Sequence, residues 1–314
     1  MSPPITIPNT AVDDDQDGIN NLIEEELAQR FAPIVRLHPD DKYRPANITW
    51  YLPRVRMRFN VNWGFDDQIL NQGEVNDLTL IKQTNRNQFS GLTATATDFF
   101  LEQTDENGGD FLDSFRSQTR NGTDQPGWVC YTHVQPASAE RNQNMYDVQY
   151  IFFYAYNGDM VWGAIESAHE ADFEHITVRV ADDLKTIHRI YYSAHDEEGR
   201  WYAKETSLGT KDGYSVTAEG RPIVYSALDS HASYPWSGEW NRINKPNDFT
   251  EDNGPEWDCK TNIINLGEKL FPIEGANWLQ YSGRWGEIGE LNWTTGPYGP
   301  AYQYWWNAEP QESN

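Results

Sequence analysis

The stretch His169-Glu170-Ala171-Asp172-Phe173-Glu174-His175 leads without a break into Ile176-Thr177-Val178-Arg179-Val180, where apolar and polar residues alternate. That alternation, rich in β-branched residues, predicts a β-strand. Side chains on a strand point to opposite faces in turn, so Asp172 and Glu174 share a face with Ile176, Val178 and Val180, while Phe173, His175, Thr177 and Arg179 share the other. The first is the expected core face. A buried carboxylate is costly unless something compensates it, so the two acids require a cation, strong donors or water. His169, read as part of the preceding turn, can swing in as a neutral nitrogen ligand. The set His169, Asp172 and Glu174 combines hard oxygen donors with one imidazole, which suits Mg²⁺, Ca²⁺ or Mn²⁺ better than a thiolate-preferring metal. Spacing alone leaves a plainer alternative open, with the acids solvated at a strand end and His169 capping the turn.

Outward from this strand, short β-like runs at 34–37, 49–55, 128–134, 146–156, 187–192, 201–204 and 222–228 are separated by Gly, Asn, Asp and Pro turns. Residues 196–199 read as a hairpin tip, and short helices are expected near 97–101 and 110–115. Segments 103–125 and 237–262 read as acidic, Asn-rich surface loops. The expected fold is mainly β: a β-sandwich with long decorating loops, short helices and an N-terminal helix. Two regions are expected, an acidic arm and helix over 1–32 and a single β-sandwich domain over 33–314.

The chain has 314 residues and a formal net charge of −24, which makes nucleic acid and anionic membrane surfaces poor partners and cations or neutral polar ligands better ones. Its 13 Trp and 17 Tyr fill cores by default, and they also suit pockets for sugars or other small molecules. Cys130 and Cys259 exclude a disulfide framework and a Cys-based zinc site, although one bridge between them would be compatible with the sequence. No signal peptide is visible, and no stretch has the apolar length of a membrane span. A soluble chain is expected, with a cytoplasmic location favoured and the oligomeric state undetermined; three Asn-x-Thr sequons, at Asn47, Asn121 and Asn292, would matter only after secretion.

Near the amino terminus, Asp13, Asp15, Asp17, Asn21 and Glu24 occupy positions 1, 3, 5, 9 and 12 of a loop whose sixth residue is Gly18. This is the ligand spacing of an EF-hand-type calcium loop, so a Ca²⁺ ion is one expectation here. The entering helix is missing and Asn20 replaces the usual aliphatic residue. A solvated acidic start to the following helix is the other expectation.

Several segments together resemble the vacuolar protein sorting-associated protein 62 family: Phe31-Ala-Pro-Ile-Val-Arg-Leu-His38-Pro-Asp40, Tyr150-Ile-Phe-Phe-Tyr-Ala-Tyr-Asn157-Gly158, His169 to Val178, Ser230-His231-Ala-Ser-Tyr234-Pro235, Gly283-Arg284-Trp285-Gly286, and Gly296-Pro-Tyr-Gly299-Pro300 with Trp305-Trp306. The middle segment is also similar to the Gly-His-Arg-His-Asp-Trp-Glu motif of necrosis- and ethylene-inducing proteins, cytolysins on a β-sandwich that carry a divalent ion. This resemblance implies metal contact by His169, Asp172 and Glu174, with Asp159 the nearest counterpart of a further upstream Asp. The sequence departs from that motif at Ala168 and Phe173, and the distance from Asp159 to His169 matches only with an insertion.

His231 lies beyond 222–228, in strand phase with Asp229, and a His beside acids and metal can serve as a general base or acid; a His bonded to turn backbone is the alternative. Arg284 can clamp an anionic group through its planar fork or form a local ion pair. His38 reads as structural, and His195 beside Asp196 as solvated. No nucleophile elbow, phosphate loop or dinucleotide fingerprint is present.

Two functions follow as expectations. One is a divalent-metal-dependent hydrolase or lyase acting on a small polar or aromatic/terpenoid-like substrate, with His231, Asp229 and Arg284 as catalytic residues and a pocket walled by aromatics of 150–156 and 293–306. The other is a metal-dependent module that binds a glycan, a glycolipid or a membrane headgroup.

Overall fold

The structure, a computed structural model, describes residues 12–60, 66–81, 99–104, 117–137, 145–158, 161–162, 165–166, 168–195, 198–204, 213–242, 245–289 and 294–307. The protein is mainly β. Its first half comprises α1 (Asn21–Arg30), β1 (Ile34–Arg36), α2 (Ile48–Tyr51), β2 (Val55–Phe59), β3 (Asp67–Leu70), α3 (Asp77–Ile81), β4 (Phe99–Gln103), β5 (Cys130–Pro136), β6 (Tyr146–Asn157), β7 (Val161–Trp162) and β8 (Ile165–Glu166). There follow β9 (His169–Val180), β10 (Ile187–Tyr192), β11 (Arg200–Tyr202), β12 (Ile223–Ser226), β13 (Ser233–Tyr234), β14 (Gly238–Trp240), β15 (Asp248–Thr250), β16 (Glu256–Asp258), β17 (Ile263–Asn265), β18 (Gly267–Glu268) and β19 (Phe271–Pro272).

The central sheet has the order β11-β10-β9-β6-β5-β17. Its axis is the antiparallel pair β6 and β9, in register from Tyr146 opposite Val180 to Asn157 opposite His169. Val148, Tyr150, Phe152 and Tyr154, with Ile176, Val178 and Val180, pack on one face against Val35, Val224 and Trp257 of the sheet β13-β12-β1-β16 and against Ile23 and Leu27 of α1. Ile151, Phe153, Ala171 and Phe173 pack on the other face against Val55, Met57, Phe99 and Leu101 of the sheet β3-β2-β4 and against Trp278, Trp285, Trp305 and Trp306. The reading of one core face is therefore corrected to two, which is why Tyr150 to Tyr156 is almost continuously apolar rather than alternating. The aromatics expected to wall a pocket are core residues instead: Tyr150, Tyr154, Trp305 and Trp306 are buried, and Trp293 lies outside the described residues. Cys130 and Cys259 are free, buried thiols.

Local chemistry explains the other departures. Of residues 49–55, all but Val55 lie in α2 and a 3₁₀ turn, because Asn47 Oδ1 accepts the Trp50 N–H at 2.7 Å as an N-cap and Pro53 opens the turn that follows. The helix expected near 97–101 is β4, whose Phe99 packs on Phe59 of β2 at 4.9 Å between ring centroids. The one expected at 110–115 lies outside the described residues. Segment 237–262 holds β14, β15 and β16 rather than loop alone. Among the described residues no helix is long and apolar enough to cross a membrane.

Polar groups inside the sheet pair with each other. Arg179 donates to both oxygens of Asp147, at 2.7 and 2.6 Å, and lies under the Trp201 ring. Truncating Asp147 to Ala leaves a buried guanidinium without its carboxylate and is expected to cost about 3–5 kcal/mol of unfolding free energy in urea titrations. A loss below about 1 kcal/mol would show that the pair carries no such constraint.

Candidate functional site

The entry to β9 is where the period-two reading breaks. Ala171 adopts a left-handed φ of +56°, a conformation unfavourable for a residue with a Cβ. The kink sends Glu170 to the β4 side of the sheet, where its carboxylate accepts the N–H groups of Gln103 (3.0 and 3.1 Å) and Glu287 (3.1 Å). Burial, together with neighbouring Glu287 and Glu102, raises the Glu170 carboxyl well above its ordinary range. Asp172 and Glu174 keep the face of Ile176 as the alternation requires, and each is 7% exposed. His169 is the first residue of β9 rather than part of a turn. Its Nδ1 donates to the Ala171 carbonyl at 2.8 Å, which orients the ring.

Asp172 Oδ2 accepts from Asn157 Nδ2 at 3.0 Å and lies 3.2 Å from His231 Nδ1. The other nitrogen of His231, Nε2, lies 3.4 Å from Asp41 Oδ2. The ring is 0% exposed and lies flat on Tyr154, centroids 3.8 Å apart and planes 6° from parallel. Burial alone would push the imidazole pKa down, but Asp41 and Asp172 reverse this and push it up to about 10. Burial likewise works to raise Asp172, yet the His231 hydrogen bond, the His169 and His231 charges and the Asn157 donor hold it below the usual carboxylate range.

β12 ends at Ser226, and a turn over 227–231 carries left-handed φ values at Asp229 (+63°) and His231 (+57°). His231 is thus delivered by a turn, not by strand phase, and its ring meets Asp41 and Asp172 where sequence reading had paired it with Asp229. Asp229 is half-buried, and its carbonyl accepts the Gly158 N–H at 3.1 Å. Asp41 was missed: it follows the turn in which Asp40 N–H donates to His38 Nδ1 at 3.2 Å, and only the pairing of two Asp after Pro39 hinted at it.

Glu174 Oε2 accepts from Ser193 Oγ at 2.6 Å. Asp248 accepts from Ser230 Oγ (2.8 Å), Tyr234 Oη (2.6 Å) and His195 Nε2 (2.7 Å), so His195 is a hydrogen-bond partner of a buried carboxylate and not a solvated tip. Burial opposes ionisation of Asp248, but His195, Tyr234 and Arg242 hold its carboxyl low. Ser230 joins this group to the first, because its carbonyl accepts from Asn157 Nδ2 at 3.2 Å. Tyr234 also stacks on Trp240 at 4.4 Å and Trp240 on Trp236 at 4.7 Å, forming a half-buried aromatic ledge.

Arg284 does not join this site. Its backbone pairs with Phe99 and Leu101 on the opposite face of the central sheet, and its guanidinium lies 3.7 Å from the Tyr298 ring centre and donates to the Gly296 carbonyl at 3.3 Å. Asp159 lies outside the described residues. A cavity of about 510 Å³ lies elsewhere, lined by Arg30, Phe31, Lys185, Lys204 and Tyr214.

His169, Asp172 and Glu174 lie along the start of β9, and their ligand atoms do not all come within 4.8 Å of one another; among the described residues that spacing is met by Asp13, Asp15 and Asp17. This acidic cluster can hold a metal ion. Burial first and Asp17 next push Asp15 up to about 6, and burial first and Asp15 next push Glu24 up to about 8. Asn21, expected as a ligand, is instead tied to Asp14 through both its amide oxygen (3.0 Å) and its amide nitrogen (2.8 Å).

A family model described as vacuolar protein sorting-associated protein 62 matches residues 80–295. The chain is 24% identical to the putative vacuolar protein sorting-associated protein TDA6 of Saccharomyces cerevisiae, over 96% of this chain and 71% of that protein. It is 25% identical to vacuolar protein sorting-associated protein 62 of the same yeast, over 82% of this chain and 58% of that protein. Among solved structures, necrosis and ethylene inducing protein 2 from the causal agent of cocoa's witches broom disease is 15% identical at a TM-score of 0.35, with 82% of each chain covered. NLPPya in complex with mannosamine is 10% identical at a TM-score of 0.41, with 90% of this chain and 92% of that chain covered. With more than half of its length matched by the family model, the chain belongs to the vacuolar protein sorting-associated protein 62 family.

Proposed function

We propose that the protein is a divalent-cation-dependent glycan-binding module, with Mg²⁺ or Ca²⁺ held at the mouth of β9 by His169, Asp172 and Glu174. The observation that carries this reading is the sealing of His231. An enzyme at this site would use that ring to move a proton, yet the ring has no solvent exposure and both its nitrogens face carboxylates. It acts as a fixed cation that ties the loop of Asp41 and the turn 227–231 to β9, and the binding reading requires no proton carrier. His169 supports the same reading, since a ring anchored through Nδ1 to a carbonyl is prepared to ligate through Nε2. Ion binding would draw the three donors together, with Glu174 giving up its hydrogen bond to Ser193. Sugar hydroxyls can complete the oxygen shell of a hard cation, and the Trp236 and Trp240 ledge offers a face for the sugar ring.

Calorimetric titration with mannosamine tests the proposal. Binding is expected to require the divalent ion, to weaken at least about thirtyfold in His169→Ala, and to weaken about tenfold in Trp240→Ala. Binding that persists unchanged in EDTA and in His169→Ala would contradict it.

The sealed imidazolium has its own signature. Its folded pKa of about 10 lies above the unfolded value of 6.5. The stability it contributes is therefore complete below pH 6.5 and fades as pH rises towards 10. Asp41→Asn should cost about 3–5 kcal/mol near pH 6, and the gap to the wild type should shrink steadily up to pH 10. A gap that stays constant across this range would mean that His231 is neutral in the fold.

A further inference from the structure

We infer that the loop Asp13-Asp14-Asp15-Gln16-Asp17-Gly18, closed by Glu24 of α1, is a Ca²⁺ site that clips the amino-terminal arm to the β17 and β18 segment. One ligand atom from each of Asp13, Asp15 and Asp17 lies within 4.8 Å of the others. A second observation points to a missing ligand. Asp15 is only 4% exposed, yet both of its carboxylate oxygens, and Oδ2 of Asp17, are buried with no hydrogen-bond partner among the described residues. Buried carboxylate oxygens are ordinarily satisfied, and three such orphans beside one another call for a cation.

The donors present select the ion. Asp13, Asp15, Asp17 and Glu24 offer only hard oxygens, at loop positions 1, 3, 5 and 12, with Gly18 at position 6 in a left-handed conformation (φ +91°). Six to eight oxygens in a flexible shell suit Ca²⁺, whereas Mg²⁺ demands a strict octahedron and retains water. The polypeptide around the loop is already organised: Asp13 accepts the N–H groups of Gln16 (2.7 Å) and Gly18 (3.1 Å), and Asn20 caps α1 by accepting the Leu22 N–H at 2.9 Å.

The clip follows from what lies beneath. Glu24 is 2% exposed and one of its oxygens accepts from Asn265 Nδ2, at the end of β17, at 3.2 Å. A Cβ placed on Gly267 would stand 3.2 Å from Asp15 Cβ, so β18 abuts the loop. Glu268 adds a further carboxylate there and holds His133 of β5 at 2.8 Å. An ion in the loop would therefore join the arm and α1 to the edge of the central sheet.

The test uses the full chain stripped with EDTA, titrated with CaCl₂ and in parallel with MgCl₂, and followed by calorimetry and thermal melting. Calcium at a hundredfold excess over its dissociation constant should raise the melting midpoint by about 5 °C. Asp15→Asn with Asp17→Asn should lose one equivalent of bound calcium and the melting response. In EDTA this variant should melt no lower than the wild type, because like charges have been removed. If it fails to fold, Glu24→Gln takes its place and should weaken calcium binding at least about thirtyfold. Unchanged stoichiometry in the double variant, or unchanged affinity in Glu24→Gln, would overturn the site. His169→Ala is the control for the strand-end ion. Loss of calcium in that variant but not in the loop variants would sustain the proposal at β9 and refute this one, and the converse would refute the former alone.

Discussion

The β6 and β9 pair is covered on both faces, so every polar group on its strands must find a partner inside the protein. The solutions differ along its length. At one end Arg179 and Asp147 neutralise each other. In the middle Gln149 bonds both His133 and the Trp305 carbonyl, while His175 stacks on Trp305 at 4.1 Å. At the other end Asp172 and Glu174 are met by groups from three separate segments: Asn157, His231 and Ser193. The site is thus what remains where a doubly buried sheet runs out and its carboxylates outnumber the cations supplied by the chain.

The same imbalance governs the molecule as a whole. A formal charge of −24 has to be managed, and the structure gathers acids in three places: Asp13, Asp15, Asp17 and Glu24 at the arm; Glu170, Glu102 and Glu287 across the sheet; and Asp41, Asp172, Glu174 and Asp248 at the strand end. In the second group, Arg56 and Arg58 meet Glu102 at 2.7 and 3.2 Å. In the third, His231 supplies positive charge and His195 hydrogen-bonds Asp248 at 2.7 Å. In the first, Asp15 has no such partner among the described residues. The calcium ion proposed for the loop would complement that pattern.

The alternation of Ile176 to Val180 correctly placed Asp172 and Glu174 on one inward face, and the cost of burying them correctly required partners. Which partners could not be read, because Asp41 and His231 come from positions 131 and 59 residues away in sequence and are delivered by turns, not by periodic elements. The left-handed Ala171, which separates Glu170 from Asp172, is invisible in a sequence where glycine would have signalled it. Residues 49–55 misled for a related reason: their β-branched and aromatic composition favours a strand, but the Asn47 cap and Pro53 impose a helical turn. The clustering of Asp13, Asp15 and Asp17 was legible in their spacing, whereas the turning of Asn21 to Asp14 and the segment of Asn265, Gly267 and Glu268 against which the loop folds were not.

The proposed strand-end ion is tested most directly by crystals of the intact chain soaked in Mn²⁺, with anomalous-difference maps collected above and below the manganese edge. A peak within coordinating distance of His169 Nε2 and of oxygens of Asp172 and Glu174 is the predicted result. No peak at the mouth of β9, with His169 Nε2 hydrogen-bonded to a protein group instead, would contradict it.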